Sequence, residues 1–389
     1  MVNFKKLFSL ISLFVFFSLI VSCYRNSALS YSDNPQTFKD VFENYWMKMK
    51  SNYAYWDLDT TNWAAVFNKY DPLFNNLDLN KENDIKKSVS YFRDISKNLL
   101  DNHYNINFLN PVLTDSAIFP AYDRKSKLIS FHPPYPYWKI DTNYLDKGYL
   151  MAKNTDFINN GEALTVLCGT IKHKILYISF NHCSLSESYT SPNGYYIKYA
   201  LQSYFAMLNN LSDTIKGLII DVRSNLGGDL NDLNFFAKHF VNHQHLYGYA
   251  QYKIGEGIYS YSTWLPALVN PNDNYNNIGK PIIVLADNFS ASTAEAFVMF
   301  FKTLPNSLLI GENTFGATGA IVEDSSMNCG SFTIPDFMSV QLSSARFKFI
   351  NNKIYENIGF PPDVFIPFNS TSIQEGRDLV LEKAISVIH

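Results

Sequence analysis

Several short segments combine residue types and spacings that can do chemistry. In the first, Asp221-Val222-Arg223-Ser224-Asn225-Leu226-Gly227-Gly228-Asp229, a polar turn ends in paired glycines after an apolar run. Glycines there let backbone N–H groups face an oxyanion with no Cβ in the way, although the same residues suit a plain tight turn. The second is Asp287-Asn288-Phe289-Ser290-Ala291-Ser292-Thr293-Ala294-Glu295. A serine at a helix start meets the helix dipole and free N–H groups, which favour a developing negative charge. Ser292 and Glu295 also have the spacing of a capping box, a purely structural device. The third, Gly311 to Thr318, approaches the phosphate-loop spacing. Ala317 stands where that loop needs lysine, so nucleotide binding is not expected.

A serine nucleophile needs a base. His103 closes Leu99-Leu100-Asp101-Asn102-His103, and His182 follows an apolar run. A lone histidine after a helix also serves as a C-terminal capping group. His239, His243 and His245 include one i, i+4 step, but no H-E-x-x-H motif accompanies them, and they read as a solvated helix end. Cys168, Cys183 and Cys329 lack the C-x-x-C spacing of a zinc site, can form at most one internal disulfide, and read as mostly buried small apolar residues. No metal and no organic cofactor are expected.

The elements that must position these residues follow from periodicity. Phe38, Val41, Phe42, Tyr45, Trp46 and Met49 recur at helical spacing. Trp63, Val66, Phe67 and Tyr70 predict a second helix ended by Asp71-Pro72, and Ile85, Val89, Phe92, Ile95 and Leu99 a third over about 83–100. Residues 104–165 lose this periodicity and predict short strands and loops. From 174 onward apolar strands (175–180, 217–222, 281–286, 308–311) alternate with helical patterns (195–211, 229–241, 293–304), and 374–387 predicts a closing helix. That alternation predicts an α/β core.

The 389 residues carry 32 Lys+Arg against 35 Asp+Glu, a net charge of −3, which gives no electrostatic ground for nucleic-acid binding. A 47% hydrophobic and 16% aromatic chain buries a large core, which excludes global disorder. The single long apolar run, Leu7 to Val21, follows Lys5-Lys6 and ends in Ser22-Cys23. This is a signal-peptide layout, short of the roughly 20 residues of a membrane span. Ile20-Val21-Ser22-Cys23 resembles the bacterial lipobox, which implies acylation at Cys23 and a body outside the cytoplasm, lipid-anchored in a bacterial cell envelope. The alternative is an uncleaved anchor helix.

Taken in order, the three motifs resemble the tail-specific or C-terminal-processing serine peptidases, peptidase family S41, over roughly residues 170–370. That family's pattern runs D-x-R-x-N-x-G-G, then S-A-S-x-x-E, then G-E-x-T-F-G. Tyr355-Glu356-Asn357-Ile358-Gly359-Phe360-Pro361-Pro362-Asp363-Val364 is similar to its closing G-x-x-P-D-x motif. The resemblance implies a ClpP/crotonase-like α/β core, a polypeptide substrate, Ser292 as nucleophile, and oxyanion donors at the backbone N–H groups of Gly227 or Gly228 and of Thr293. Ala317 replaces the lysine base of many members. The similarity to the tricorn-like branch then implies His103 as base, with Glu356 orienting it. Asn102 stands where that branch often has serine.

The expected organisation is a leader over 1–22, a tether over 23–36, a helical domain over 37–103, a strand- and loop-rich insert over 104–170 in place of a recognisable PDZ domain, and the peptidase core over 171–389. The competing expectation is a non-catalytic peptide- or ligand-binding lipoprotein on the same scaffold.

Overall fold

The computed structural model describes residues 31–388 apart from 160, 273–278 and 325–326. The leader, Cys23 and most of the tether lie outside the described residues.

Three helices open the chain: α1 (Phe38–Asn52), α2 (Trp63–Asn75) and α3 (Glu82–Ser96). Thr37 starts α1 with a capping box, its hydroxyl accepting from the Asp40 N–H at 3.2 Å while Asp40 Oδ2 accepts from the Thr37 N–H at 2.9 Å. Helix α2 does not stop at Asp71-Pro72 as the sequence suggests. Pro72 lies inside its last turn, where little helix remains to be broken. The apolar stripes interlock as aromatic pairs, such as Phe42 stacked on Phe74 with centroids 4.7 Å apart.

This core is not purely helical. Strands β1 (Asn105–Phe108) and β2 (Ala117–Ile118) join a later hairpin, β11 (Ser331–Ile334) with β12 (Met338–Gln341), in a sheet of order β11-β12-β1-β2. Ile106, Met338 and Val340 from that sheet are buried in the same apolar cluster as Phe42 and Phe92. The helical region is therefore closed by chain from the far end of the sequence.

The central sheet has seven strands. They are β3 (Leu150–Asn159), β4 (Glu162–Ile171), β5 (Ile175–Phe180), β6 (Gly217–Asp221), β9 (Ile282–Ala286), β10 (Ser307–Gly311) and β14 (Val364–Phe365), in the order β14-β10-β9-β6-β5-β4-β3. The five from β14 to β5 are parallel, and β4 and β3 add antiparallel. The boundary expected at 170/171 thus falls inside one sheet, because Val166 to Ile171 of β4 pair with β5. Strands β6 and β9 are buried throughout, as parallel strands covered on both faces must be. Their alternate residues separate cleanly. Ile220 and Val284 pack under α4 (Tyr195–Asn209) and α5 (Thr293–Phe301), while Ile219 and Ile283 pack under the closing helix α6 (Leu379–Val387). A third sheet joins β13 (Ala345–Phe349), β7 (His245–Tyr252) and β8 (Leu265–Val269). The loops after β6 and β9 leave the sheet at its carboxyl edge, where open α/β sheets place their sites.

Candidate active site

Ser292 sits between β9 and α5 with φ 55° and ψ −122°, a conformation that crowds the Cβ of any non-glycine residue. A serine held on a strained strand-to-helix turn presents its hydroxyl away from the sheet. The paired glycines come against it. A Cβ on Gly227 would lie 2.6 Å from Ser292 Cβ and 2.7 Å from Thr293 N, and one on Gly228 would lie 2.2 Å from the Cys183 carbonyl oxygen. Two motifs far apart in sequence thus meet because glycine is the only residue that fits at either position. Thr293 Oγ1 ties them by donating to the Gly228 carbonyl at 2.7 Å.

The N–H groups are not equivalent. Gly227 N–H donates to Asn225 Oδ1 at 2.8 Å and is spent. Among the described residues, Gly228 N–H and Thr293 N–H have no hydrogen-bond partner. Of the alternatives open in the sequence, Gly228 is the free donor.

Glu295 fixes the other side of Ser292. The Glu295 N–H already has the Ser292 carbonyl oxygen at 2.8 Å, and Glu295 Oε2 accepts from Ser292 N–H at 3.3 Å. Its carboxylate also accepts from Thr314 Oγ1, from Gly316 N–H at 2.8 Å and from Ala317 N–H at 2.7 Å. Ser292 N–H donates to the Ala317 carbonyl at 3.1 Å. Ala317 therefore lies against Ser292 through its backbone. The amides of Gly316, Ala317 and Thr318 are taken by the Glu295 and Glu356 carboxylates, and those of Glu312, Thr314 and Phe315 by backbone carbonyls, so the loop does not offer its N–H groups to a phosphate.

His103 follows α3 and a turn at Leu99. Its Nδ1 lies 3.2 Å from Ser343 Oγ, and Ser343 Oγ donates to Asp101 Oδ1 at 2.8 Å. Because that hydroxyl proton points at Asp101, the oxygen accepts from His103 Nδ1–H, which leaves Nε2 as the basic nitrogen. Nε2 is buried and has no hydrogen-bond partner, so no bond joins it to the Ser292 hydroxyl in this structure. Asp101 is fully buried and also accepts from His103 N–H at 2.9 Å and Ser343 N–H at 2.6 Å. Burial pulls the His103 pKa down, while the charge of Asp101 works the other way.

Glu356 does not bond the imidazole, contrary to the sequence expectation. Its Oε1 accepts from Asn102 N–H at 2.8 Å. Its Oε2 accepts from Tyr55 O–H at 2.9 Å, Thr318 N–H at 2.7 Å, Thr318 Oγ1 at 3.1 Å and Gly319 N–H at 2.9 Å. Burial, and then the charge on Asp101, push its carboxyl up to about 8, and burial pushes Glu295 up to about 7. Asn102 completes the junction: its Nδ2 donates to the Gly316 carbonyl at 2.9 Å. Residues 316–319 therefore touch the Ser292 side through Glu295 and the His103 side through Asn102 and Glu356. Asp101, His103 and Glu356 have ligand atoms within 4.8 Å of one another, a spacing a cation could use. The acidic oxygens already face N–H and O–H donors, which a cation would have to displace.

The rival base, His182, stands on the other side of the glycines. Its Cε1 lies 3.0 Å from where a Gly228 Cβ would sit, and its Nδ1 lies 2.9 Å from Ser184 Oγ. Burial lowers its pKa and no carboxylate offsets this. The other histidines are not a solvated cluster: His239 is buried and stacked on Phe205 at 4.1 Å, and its pKa is pushed down to about 4 by burial. His245 Nε2 lies 2.7 Å from Thr303 Oγ1. Cys168, Cys183 and Cys329 are free thiols, the first two buried. Among the described residues no helix is long and apolar enough to cross a membrane.

Sequence reasoning missed the acid–hydroxyl pair behind His103. Asp101 was visible in its motif without a role. Ser343 and Tyr55 carried no local signal.

Comparisons with known proteins fit this geometry. Residues 175–366 match the model of peptidase family S41. The nisin-resistance protein of Lactococcus lactis subsp. lactis is 26% identical over 156 residues, 38% of this chain and 45% of that one. A Sulfurisphaera tokodaii protein provisionally named a tricorn-like protease C-terminal subunit is 27% identical over 173 residues, 44% of this chain and 17% of that one. The chain thus spans less than half the length of either curated relative. A crystal structure from Parabacteroides merdae, provisionally described as a peptidase, superposes with a TM-score of 0.68 at 23% identity, covering 91% of this chain and 97% of that one. That likeness establishes a shared fold. With three motifs converging on one serine inside the matched segment, this chain belongs, over residues 175–366, to peptidase family S41.

Proposed function

We propose that the chain is a serine peptidase acting on polypeptides through a histidine base, as in the tricorn-like branch. The observation that carries this reading is a strained Ser292 bonded to Ala317, next to Gly316, which Asn102 ties to a buried, unbonded His103 Nε2 whose other nitrogen is held by Ser343, itself bonded to Asp101. Ser292 Oγ adds to the scissile carbonyl and its proton passes to His103 Nε2. The N–H groups of Gly228 and Thr293 take the oxyanion. His103 then gives the proton to the leaving amine, and water, deprotonated by the same nitrogen, releases the acyl group. Asp101 stabilises the imidazolium through Ser343. Glu356 and Asn102 position rather than react. These groups supply nucleophile, base and electrophilic donors, so the mechanism invokes no metal or cofactor. His103 is favoured over His182 because only His103 has a carboxylate behind it.

Export and anchoring rest on the N-terminal sequence, with Cys23 as the acylated residue. Cys23→Ala should release the protein from the membrane fraction or stall its processing. Unchanged mass and fractionation would refute anchoring.

The decisive test of the chemistry is a fluorophosphonate probe. Wild type should label at a single site, and Ser292→Ala should lose both labelling and peptide hydrolysis while remaining folded. Absence of labelling in folded wild type, with no hydrolysis of unstructured polypeptide, would leave the non-catalytic binding protein as the better reading.

A further inference from the structure

Asp221 and Arg223, singled out in the first motif, belong to a buried ion cluster that the proposed chemistry does not use. Arg223 meets three carboxylates, those of Asp221, Asp378 and Asp141, and none of the four side chains is more than 2% exposed. Asp221 takes the guanidinium Nε–H on both oxygens, at 2.9 Å and 3.0 Å. Asp378 takes Nη1 at 2.7 Å on one oxygen, and on the other the N–H groups of Val380 and Leu381 that open α6, each at 3.0 Å. Asp141, from the short helix Trp138–Asp141, is less well supplied. Its Oδ1 is buried without a hydrogen-bond donor, and Arg223 Nη2 lies 3.6 Å from it. Its Oδ2 lies 2.7 Å from the Tyr177 hydroxyl, which also lies 3.2 Å from Asp221 Oδ2.

One hydroxyl carries one proton and cannot donate fully to two carboxylates. Asp221 and Asp378 already face other donors, so the missing proton belongs to Asp141. Its Oδ2–H then donates to Tyr177, whose own O–H donates to Asp221. Charge demands the same. One cation against three carboxylates leaves two negative charges closed off from water, and burial favours the neutral acid. Burial accordingly pushes the Asp141 carboxyl well above the usual carboxylate range, although Arg223 pulls the other way. Among the described residues no second cation pairs with these acids. Of the other groups around them, Tyr144 takes the Asp378 N–H and donates to Glu382, which pairs with Arg377. Asp287 and Glu312 act on Tyr137, whose ring covers Arg223, and Lys139 and Lys153 lie over the Trp138 ring.

The chain leading to Asp141 runs along the proposed active site. Tyr135 N–H donates to Ser224 Oγ at 3.0 Å, and Ser224 Oγ to Asp287 Oδ2 at 3.0 Å. Asn288 Nδ2 donates to the Ser130 carbonyl at 3.2 Å. Asp287 and Asn288 open the turn that carries Ser292.

We infer that Asp141 is a proton-held clasp: the folded protein keeps its acid proton, and alkaline loss of that proton frees residues 130–141 from the central sheet. The inference does not rest on the peptidase reading, and its test needs no activity. Asp141→Asn imitates the protonated acid. The unfolded chain loses this proton near about pH 4, so each further pH unit should weaken wild-type folding about tenfold relative to Asp141→Asn, until the folded protein loses it too. In chemical denaturation the variant should therefore match wild type near about pH 4 and be the more stable at neutral pH. With isotope-labelled aspartate, the infrared difference between wild type and variant at neutral pH should show the carbonyl stretch of a protonated carboxyl group. As the solution is made alkaline, trypsin should cut wild type at Lys139, inside the freed segment, increasingly faster than it cuts the variant. A variant less stable than wild type at neutral pH, or carboxylate bands in the difference spectrum, overturns the protonated acid. Equal cleavage of the two proteins at every pH overturns the clasp.

Discussion

Ser292 and His103 each lean on a buried carboxylate, but the two halves of the site are assembled differently. The Ser292 half is local. Ser292, Thr293 and Glu295 are one turn of chain, and only the glycine loop and residues 314–317 come from elsewhere. The His103 half, the proposed base, is a meeting of strangers: Tyr55 and Asp101 to His103 from the helical region, Thr318 and Gly319 from the loop, Ser343 and Glu356 from the far end. A local half is fixed as soon as its helix docks. A dispersed half is correct only when the helical region and the central sheet are correctly joined.

Removing either half should have the largest effect. Ser292→Ala and His103→Ala should each lower kcat on the order of 10³-fold or more. If His103→Ala retains full activity while His182→Ala loses it, the base lies on the glycine side and the comparison collapses.

Truncating the carboxylates separates the halves by stability. Glu356→Ala strands donors from Tyr55, Asn102, Thr318 and Gly319 and should cost about 3 kcal/mol in chemical denaturation. Glu295→Ala should cost a similar amount but leave the packing of the helical region intact by near-ultraviolet circular dichroism. Both carboxyls are raised from 4.5, Glu295 to about 7 and Glu356 to about 8, so the native protein holds protons that the unfolded chain has lost. Their contribution to stability therefore falls as pH climbs from 4.5 towards 8. Glu356→Ala should flatten that slope above pH 7, and an unchanged slope would show that Glu356 is ionised throughout.

A smaller effect is expected from Ser343→Ala, which removes the acceptor of His103 Nδ1–H but spares the backbone bonds to Asp101. It should lower kcat about tenfold with little change in KM. A KM effect alone would make Ser343 a packing residue. The finest test is the acid limb of the rate profile. Burial depresses the His103 pKa from 6.5, so the neutral base survives to lower pH and the limb should fall below 6.5. A limb above that value would mean that Asp101 outweighs burial.

The same contrast explains what was legible in the sequence. Strands β6 and β9 and the turns after them were readable because apolar runs ending in glycine or serine are local patterns. Ser292 and the glycine pair follow from that. The roles within the base half were not readable, since nothing around Ser343 in Leu342-Ser343-Ser344 marks it as a histidine partner. The motif drew attention to Glu356, but which group it faces depends on how two layers pack. Strands β3 and β4 fall in the stretch read only as short strands and loops, and were not placed individually for a related reason: an antiparallel edge carries no helix between its members to announce it. Pro72 and His239 show tertiary packing overriding a local rule, one by ending up in a final helical turn and the other by stacking in the core.

The backbone angle at Ser292 has an evolutionary corollary. At φ 55° glycine is the relaxed choice, so a lineage selected for folding alone would drift towards Ser292→Gly, gaining about 1 kcal/mol. The exchange would be invisible in the fold and fatal to the proposed chemistry. In any collection of descendants of this chain, glycine at this position would mark a scaffold released from catalysis, whatever else in its site remained intact.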